Sequence, residues 1–302
     1  MKTIIVTGAN SGLGLWTCKY LLDLNYKVIM ACRNPLKAKD AIAGFSEFDK
    51  NKNYAIKTLD LANFDSIRKF VHGLPENEPI YGLDCNAGLS YKGPFRYTKN
   101  GIEETFGTNY LGHFLLSNLL IEKFNLERIV FISSGLHDPK NKSPFAPAVF
   151  RKIHDFAYPV VDAESTLEKQ CEEFYANSKL CMLLFAYELD RRLQKKNSSK
   201  TTLINALNPG LMLTTNLGRT HKFGENIYRN LLDFVFKIIG ISDHPKTSAR
   251  DVVKLFHEVT TSGAYYDKGK PIPSSVDSYD KEKGKLLWEG SELLIGTKFL
   301  SI

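Results

Sequence analysis

The chain has 302 residues, of which 43% are hydrophobic and 24% charged, a balance that supports a sizeable core and excludes a disordered chain. The net charge of +7 is spread along the sequence, with no zinc-finger spacing, basic-region heptads or aromatic RNA-binding signature, so nucleic acid is not an expected partner. Five cysteines at irregular spacing make no CxxC pair and no Cys/His ligand set, so no metal is expected; Cys18, Cys32 and Cys85 sit among apolar neighbours, as buried thiols do. The start runs directly into an apolar strand and no apolar run is long enough to span a bilayer, so the expectation is a cytoplasmic protein without a transmembrane segment.

In chain order, Thr3 to Val6 is a β-branched run, and the glycine-rich stretch Gly8 to Gly14 leads into helical spacing from Leu15 to Asn25. Lys27 to Ala31 and Ala55 to Leu59 read as strands, Phe64 to Leu74 as a helix, and Tyr81 to Cys85 as a strand ending at Asn86-Ala87-Gly88. Ile102 to Phe124 is long and apolar and predicts a buried helix, followed by a strand at Arg128 to Ile132. Glu172 to Leu193 predicts a helix closed by Arg191 and Arg192, and Thr202 to Leu207 a strand stopped by Pro209-Gly210. Strand and helix alternate at βα spacing, which predicts a single α/β domain over 1–302: one doubly wound parallel sheet with helices on both faces.

Thr7-Gly8-Ala9-Asn10-Ser11-Gly12-Leu13-Gly14 joins a strand to a helix with GxxxGxG spacing. Glycines there permit a tight turn and close approach to a pyrophosphate, and a helix N-terminus offers free N–H groups. Gly8, Asn10, Ser11, Gly12, Leu13 and Gly14 are therefore candidate dinucleotide contacts. At the end of the second strand, where a carboxylate would bind the ribose diol of NAD, stand Arg33 and, one helical turn on, Lys37. Cations suit a 2′-phosphate, which predicts NADP(H); the competing reading is two ordinary surface charges.

Asp60-Leu61 after the third strand offers an acceptor for an adenine amino group, or a turn aspartate. Small residues at Asn86, Ala87 and Gly88 let a cofactor lie against the backbone. Tyr175 and Lys179 are four apart and share a helix face; an ammonium beside a phenol favours the phenolate, lowers the tyrosine pKa and makes it a candidate acid/base, although such pairs also arise by chance. Ser134 follows the fifth strand and either holds a substrate oxygen or serves a turn. Asn109 is polar in an apolar helix and is either a structural hydrogen-bonder or a relay, while His113 reads as a packed core or rim histidine.

Combined and in this order, these motifs resemble the short-chain dehydrogenase/reductase family from Thr3 to about Thr215. The resemblance implies a Rossmann fold, an NADP(H) cofactor and a catalytic tetrad of Asn109, Ser134, Tyr175 and Lys179. It makes Tyr175 the general acid/base and has Lys179 lower its pKa and hold the nicotinamide ribose. Ser134 would orient the substrate oxygen and Asn109 support a proton relay. It also makes Pro209, Gly210, Leu211 and Thr214 the segment closing over the nicotinamide, and implies homo-oligomers.

Cys32 to Ala38, Gly112 to Leu116, Thr214-Thr215, Ser262 to Tyr266 and Leu287-Trp288-Glu289 are similar to light-dependent protochlorophyllide oxidoreductases. Ser178-Lys179-Leu180 and Tyr187 to Leu193 equally resemble retinol dehydrogenases. Leu211 stands where the light-dependent enzymes carry a cysteine, and Gly88 where they usually carry a second alanine; both departures separate the chain from the pigment chemistry.

Two segments flank the expected nicotinamide site, about 135–174 with Phe145, Phe150, Phe156 and Tyr158, and 216–245 with its Phe/Ile-rich run. Read as lids, they predict a small, lipophilic substrate whose carbonyl or alcohol exchanges a hydride; read as packing surfaces, they carry no such meaning. The alternatives are a C=C reductase, disfavoured by Leu211, and a non-catalytic NADP-sensing regulator.

Overall fold

A computed structural model describes residues 1–45, 48, 52–141, 143–196, 202–212 and 243–300. Strand β1 (Thr3–Thr7) is buried at every position, with Ile5 facing one core and Ile4 and Val6 the other. A strand covered on both faces is apolar without alternation, as the sequence has it here. Helix α1 (Gly12–Asp23) follows, then β2 (Lys27–Cys32) and α2 (Pro35–Ile42), which starts with Pro35 in its first turn and the Asn34 side chain accepting from Lys37 N at 3.1 Å.

Next come β3 (Tyr54–Thr58), α3 (Phe64–His72) and β4 (Ile80–Cys85). Helix α4 is composite: Glu104–Phe106, a π-helical turn Gly107–Leu111, then Gly112–Lys123. β5 (Arg128–Ile132), α5 (Ile153–Ala157), α6 (Leu167–Lys196) and β6 (Leu203–Asn208) follow; β5, α6 and β6 were foreseen from periodicity, with α6 beginning earlier than expected, whereas α5 lies in the segment expected to be a loop. Helix α7 (Pro245–His257), strands β7 (Ala264–Asp267) and β8 (Lys270–Ile272) and helix α8 (Lys281–Ile295) were not among the predicted elements.

The strands form one eight-stranded sheet in the order β3-β2-β1-β4-β5-β6-β7-β8. All pairs are parallel except β7–β8, so the expected purely parallel sheet gains an antiparallel edge. The reason is local: Lys268 (φ +47°) and Gly269 (φ +75°) form a two-residue turn, and positive φ at both turn positions matches the twist of a hairpin. One face carries α3, α4, α6 and α8, where Phe114, Phe185, Trp288 and Phe299 interlock; the other carries α1 and α7. The C-terminal helix is thus part of the core, and Tyr110 on α4 is hydrogen-bonded to Ser291 on α8 at 2.7 Å. No helix among the described residues is long and apolar enough to cross a membrane.

Candidate active site

The strand order reverses between β1 and β4, and a crevice opens there at the C-terminal ends of both strands, the general place for ligands in such sheets. Gly8 (φ +65°) turns the chain out of β1, its N–H bonded to Ala31 O at 2.9 Å. A Cβ on Gly8 would lie 2.9 Å from Ala87 Cα, and one on Gly14 would lie 2.5 Å from Asn86 Nδ2 and 2.8 Å from Gly8 O. Only hydrogen fits at either place, so the glycines bring loop, helix and β4 end together. Ser11 precedes α1 in extended conformation without a side-chain capping bond, which leaves the first-turn N–H groups to the crevice.

Thr7 ties the floor together. Its Oγ1 accepts from Ala87 N at 2.9 Å and lies 3.0 Å from both Asp84 O and His113 Nε2, while Asn86 Nδ2 donates to Thr7 O at 2.7 Å. His113 is fully buried, and burial pulls its pKa down to about 4; its Nδ1 lies 2.8 Å from Asn109 O. It is the core histidine the sequence suggested, but it links the glycine loop to the helix of Asn109.

The crevice is lined by Gly8, Asn10, Ser11, Gly12, Leu13, Arg33, Asp60, Leu61, Asn86, Ala87 and Gly88, eleven of the expected contacts. Thr7, Ala31, Cys32, Leu59, Leu89 and Thr108 line it too and were not among the expected contacts, although Thr7 stood within the glycine motif and Cys32 within the run before Ala38. Gly14 supports the wall from behind. Lys37 is exposed on α2 and Pro209, Gly210 and Leu211 lie on the loop after β6; none of these four belongs to the described lining. Thr214 and 216–242 lie outside the described residues. Asp60 has both roles considered for it: it lines the crevice, and its Oδ1 accepts from Ala62 N at 3.1 Å.

The four residues expected to form a tetrad do not belong to the described lining, and two of them lie beside Gly88 at its end. A Cβ on Gly88 would lie 3.4 Å from Asn109 Oδ1 and 3.5 Å from Lys179 Nζ. Asn109 sits on the π turn, fully buried; its Oδ1 accepts from Leu89 N at 2.8 Å, and its Nδ2 donates to Leu89 O at 2.9 Å and Ser178 Oγ at 3.0 Å. A π turn inserts an extra residue and re-aims the side chains around it, a device frequent at functional sites. Lys179 is buried and donates to Ile132 O at 2.9 Å, and its Nζ lies 5.5 Å from the Tyr175 ring centroid. Tyr175 is hydrogen-bonded to Ser134, and Ser134 caps a 3-10 turn, Gly135–His137.

The pKa pattern departs from the sequence expectation. Burial pushes the Tyr175 phenol up to about 12, against which its bond to Ser134 pulls it down. Burial also pulls the Lys179 ammonium down to about 8. Desolvation thus outweighs any lowering of Tyr175 by Lys179, whose ammonium is engaged by a backbone carbonyl. Of the expected substrate segment 135–174, Phe156 is core, stacked 5.4 Å from Phe106, whereas Phe145 and Tyr158 are about 40% exposed. All five cysteines are buried and unbridged.

The family profile described as short chain dehydrogenase matches residues 2–144. Chloroplastic protochlorophyllide reductase of Daucus carota is 34% identical to the chain, across 97% of it and 78% of the relative. Human retinol dehydrogenase 13 is 31% identical, across 100% of the chain and 86% of the relative. Among solved structures, an uncharacterised protein of Mycobacterium paratuberculosis superposes with a TM-score of 0.73 at 27% identity, covering 99% of this chain and 95% of that one. Actinorhodin polyketide ketoreductase with NADPH has the same fold, with a TM-score of 0.61 at 18% identity over 88% of this chain and 95% of that one.

Proposed function

Because the chain belongs to the short-chain dehydrogenase/reductase family of oxidoreductases, with protochlorophyllide reductases and retinol dehydrogenases among its relatives, we propose that it is an NADP(H)-dependent reductase of a carbonyl on a small, lipophilic molecule. The observation that carries this reading is the convergence of Ser134, Tyr175, Lys179 and Asn109 at the Gly88 end of the crevice. The glycine cradle, which a Cβ at Gly8 or Gly14 would fill, and the uncapped start of α1 suit a dinucleotide pyrophosphate. Arg33 lines the crevice, is exposed and has no ion-pair partner among the described residues, which favours a 2′-phosphate.

Bound there, the nicotinamide supplies or takes the hydride. The chain's own residues do the rest. Ser134 Oγ hydrogen-bonds the carbonyl oxygen. Tyr175, whose pKa of about 12 keeps it protonated at neutral pH as the ordinary value of 10 also would, gives its proton to that oxygen as it becomes an alcohol. Lys179 stabilises the phenolate left behind, and Asn109 holds the segment from Gly88 to Leu89 beside Lys179.

The test is loss of NADPH absorbance with decanal, all-trans-retinal and a naphthoquinone, in the dark, for the parent and Tyr175→Phe. Turnover that the variant loses by about 10²-fold or more, with NADPH binding retained, supports the proposal. Turnover that persists in Tyr175→Phe overturns it. The similarity to protochlorophyllide reductase favours a second reading, C=C reduction, which requires product from that pigment under illumination.

A further inference from the structure

We propose that His137 is a positioning residue for Ser134, clamping the turn after β5 to the C-terminal segment at Ser275. This rests on the role given to Ser134 above. His137 is 2% exposed, and its two ring nitrogens have opposite duties. Nδ1 lies 2.6 Å from Ser134 O, which only accepts, so Nδ1 carries the hydrogen. Nε2 lies 3.1 Å from Ser275 N, which only donates, so Nε2 keeps its lone pair. The neutral Nδ1–H tautomer alone satisfies both; a protonated ring sets an N–H against an N–H.

The far end of the clamp is itself anchored. Ser274 Oγ bridges Tyr187 OH and Ser278 Oγ, each at 2.7 Å, and Tyr279 OH accepts from Ser274 N at 3.1 Å. Tyr187 stacks on Tyr279 with ring centroids 5.0 Å apart. Tyr187 belongs to α6, the helix that carries Tyr175 and Lys179. A closed circuit therefore runs from Ser134 through His137, Ser275, Ser274 and Tyr187 back to Tyr175, and it fixes the spacing of the two groups that face the substrate oxygen. The groups around the imidazole are Asp138 beside it and, from β7, Asp267 and the Tyr265 ring at 5.0 Å. The two carboxylates favour a cation and burial opposes it more strongly, so the ring stays neutral. Residue 275 lies far outside residues 2–144, the part matched by the family profile.

The test uses the full chain with His137→Leu, His137→Asn and His137→Gln beside Ser134→Ala. Asn places an amide nitrogen where Nδ1 sits and keeps the donor to Ser134 O; Gln reaches toward Ser275 but loses that donor. Two readouts are taken: amide exchange of the 133–138 peptide by mass spectrometry, and kcat with the KM values for decanal and for NADPH, each measured with the other held at saturation. His137→Leu and His137→Gln are expected to speed exchange and to lower kcat by about 10- to 100-fold, the scale of a small misplacement, with KM for NADPH unchanged. Asn is expected to rescue most of the loss, and Leu to cost nothing further in the Ser134→Ala background. Unchanged exchange in His137→Leu, or parental kcat in it while Ser134→Ala is inactive, overturns the inference. If Ser134→Ala itself retains kcat, the role of Ser134 fails, and exchange still decides whether His137 fixes that turn.

Discussion

Thr7 Oγ1 and His113 Nε2 lie 3.0 Å apart, both fully buried, directly beneath the glycine-rich loop. The contact joins residues 106 apart in sequence and couples the glycine-rich loop to the helix of Asn109. Since Asn109 O only accepts, Nδ1 of His113 carries the hydrogen, and the Nε2 lone pair shares the single hydroxyl hydrogen of Thr7 with Asp84 O.

That coupling has a pH signature. Burial lowers the folded pKa of His113 from 6.5 to about 4, so between these values the unfolded chain binds the proton and the folded chain does not. The stabilisation is complete above pH 6.5 and lost as pH falls toward 4, at most about 3 kcal/mol at 1.36 kcal/mol per unit. Urea unfolding of the parent and His113→Gln at pH 7, 5.5 and 4.5 reads it: the difference between them should shrink as pH falls. A difference constant over the three pH values would show that His113 does not carry the coupling.

Asp84 on β4 presents a second buried ionisable group, with neither carboxylate oxygen hydrogen-bonded among the described residues. Burial raises its pKa well above 3.8, so the unfolded chain ionises first and stability falls as pH rises from about 4 toward the folded value. Asp84→Val keeps the strand, whose tie to Thr7 uses the backbone carbonyl, and should stabilise the protein by about 1–3 kcal/mol at pH 7 and by less at pH 5. A valine variant less stable than the parent at pH 7 would mean that the carboxyl is compensated.

Gly14→Ala should weaken NADPH binding about tenfold or more, equivalent to about 1.4 kcal/mol, because its Cβ meets Asn86 Nδ2 and Gly8 O. Gly44→Ala is the control, since nothing lies within 4 Å of the Cβ it would gain. Fluorescence titration with NADPH separates the two; equal affinities would remove the close-approach argument.

Much of the fold was legible because it is written in local periodicity. Six strands and the four longest helices between them follow from runs whose apolar spacing repeats every two or 3.6 residues, whereas the short helices α2 and α5 do not. α7, β7, β8 and α8 carried local marks as well: Pro245 in a first turn, Asp280 as a cap accepting from Glu282 N and Lys283 N at 3.0 Å, and Gly296 in the left-handed region. Those marks do not add up to a periodic run because the segments are short or mixed in polarity, and only packing against α1, α6 and the sheet edge makes them regular.

By itself, the sequence determined the βα alternation, the glycine loop and the two side chains four apart on one helix, all of which are settled within a few residues by sterics and helical repeat. Tertiary structure alone decided the rest. It set Tyr175 up and Lys179 down in pKa, because desolvation depends on what surrounds a group rather than on its neighbour in the chain. It gave His113 and His137 their partners, since a hydrogen bond between residues 106 or 138 apart exists only once the sheet has brought their segments together.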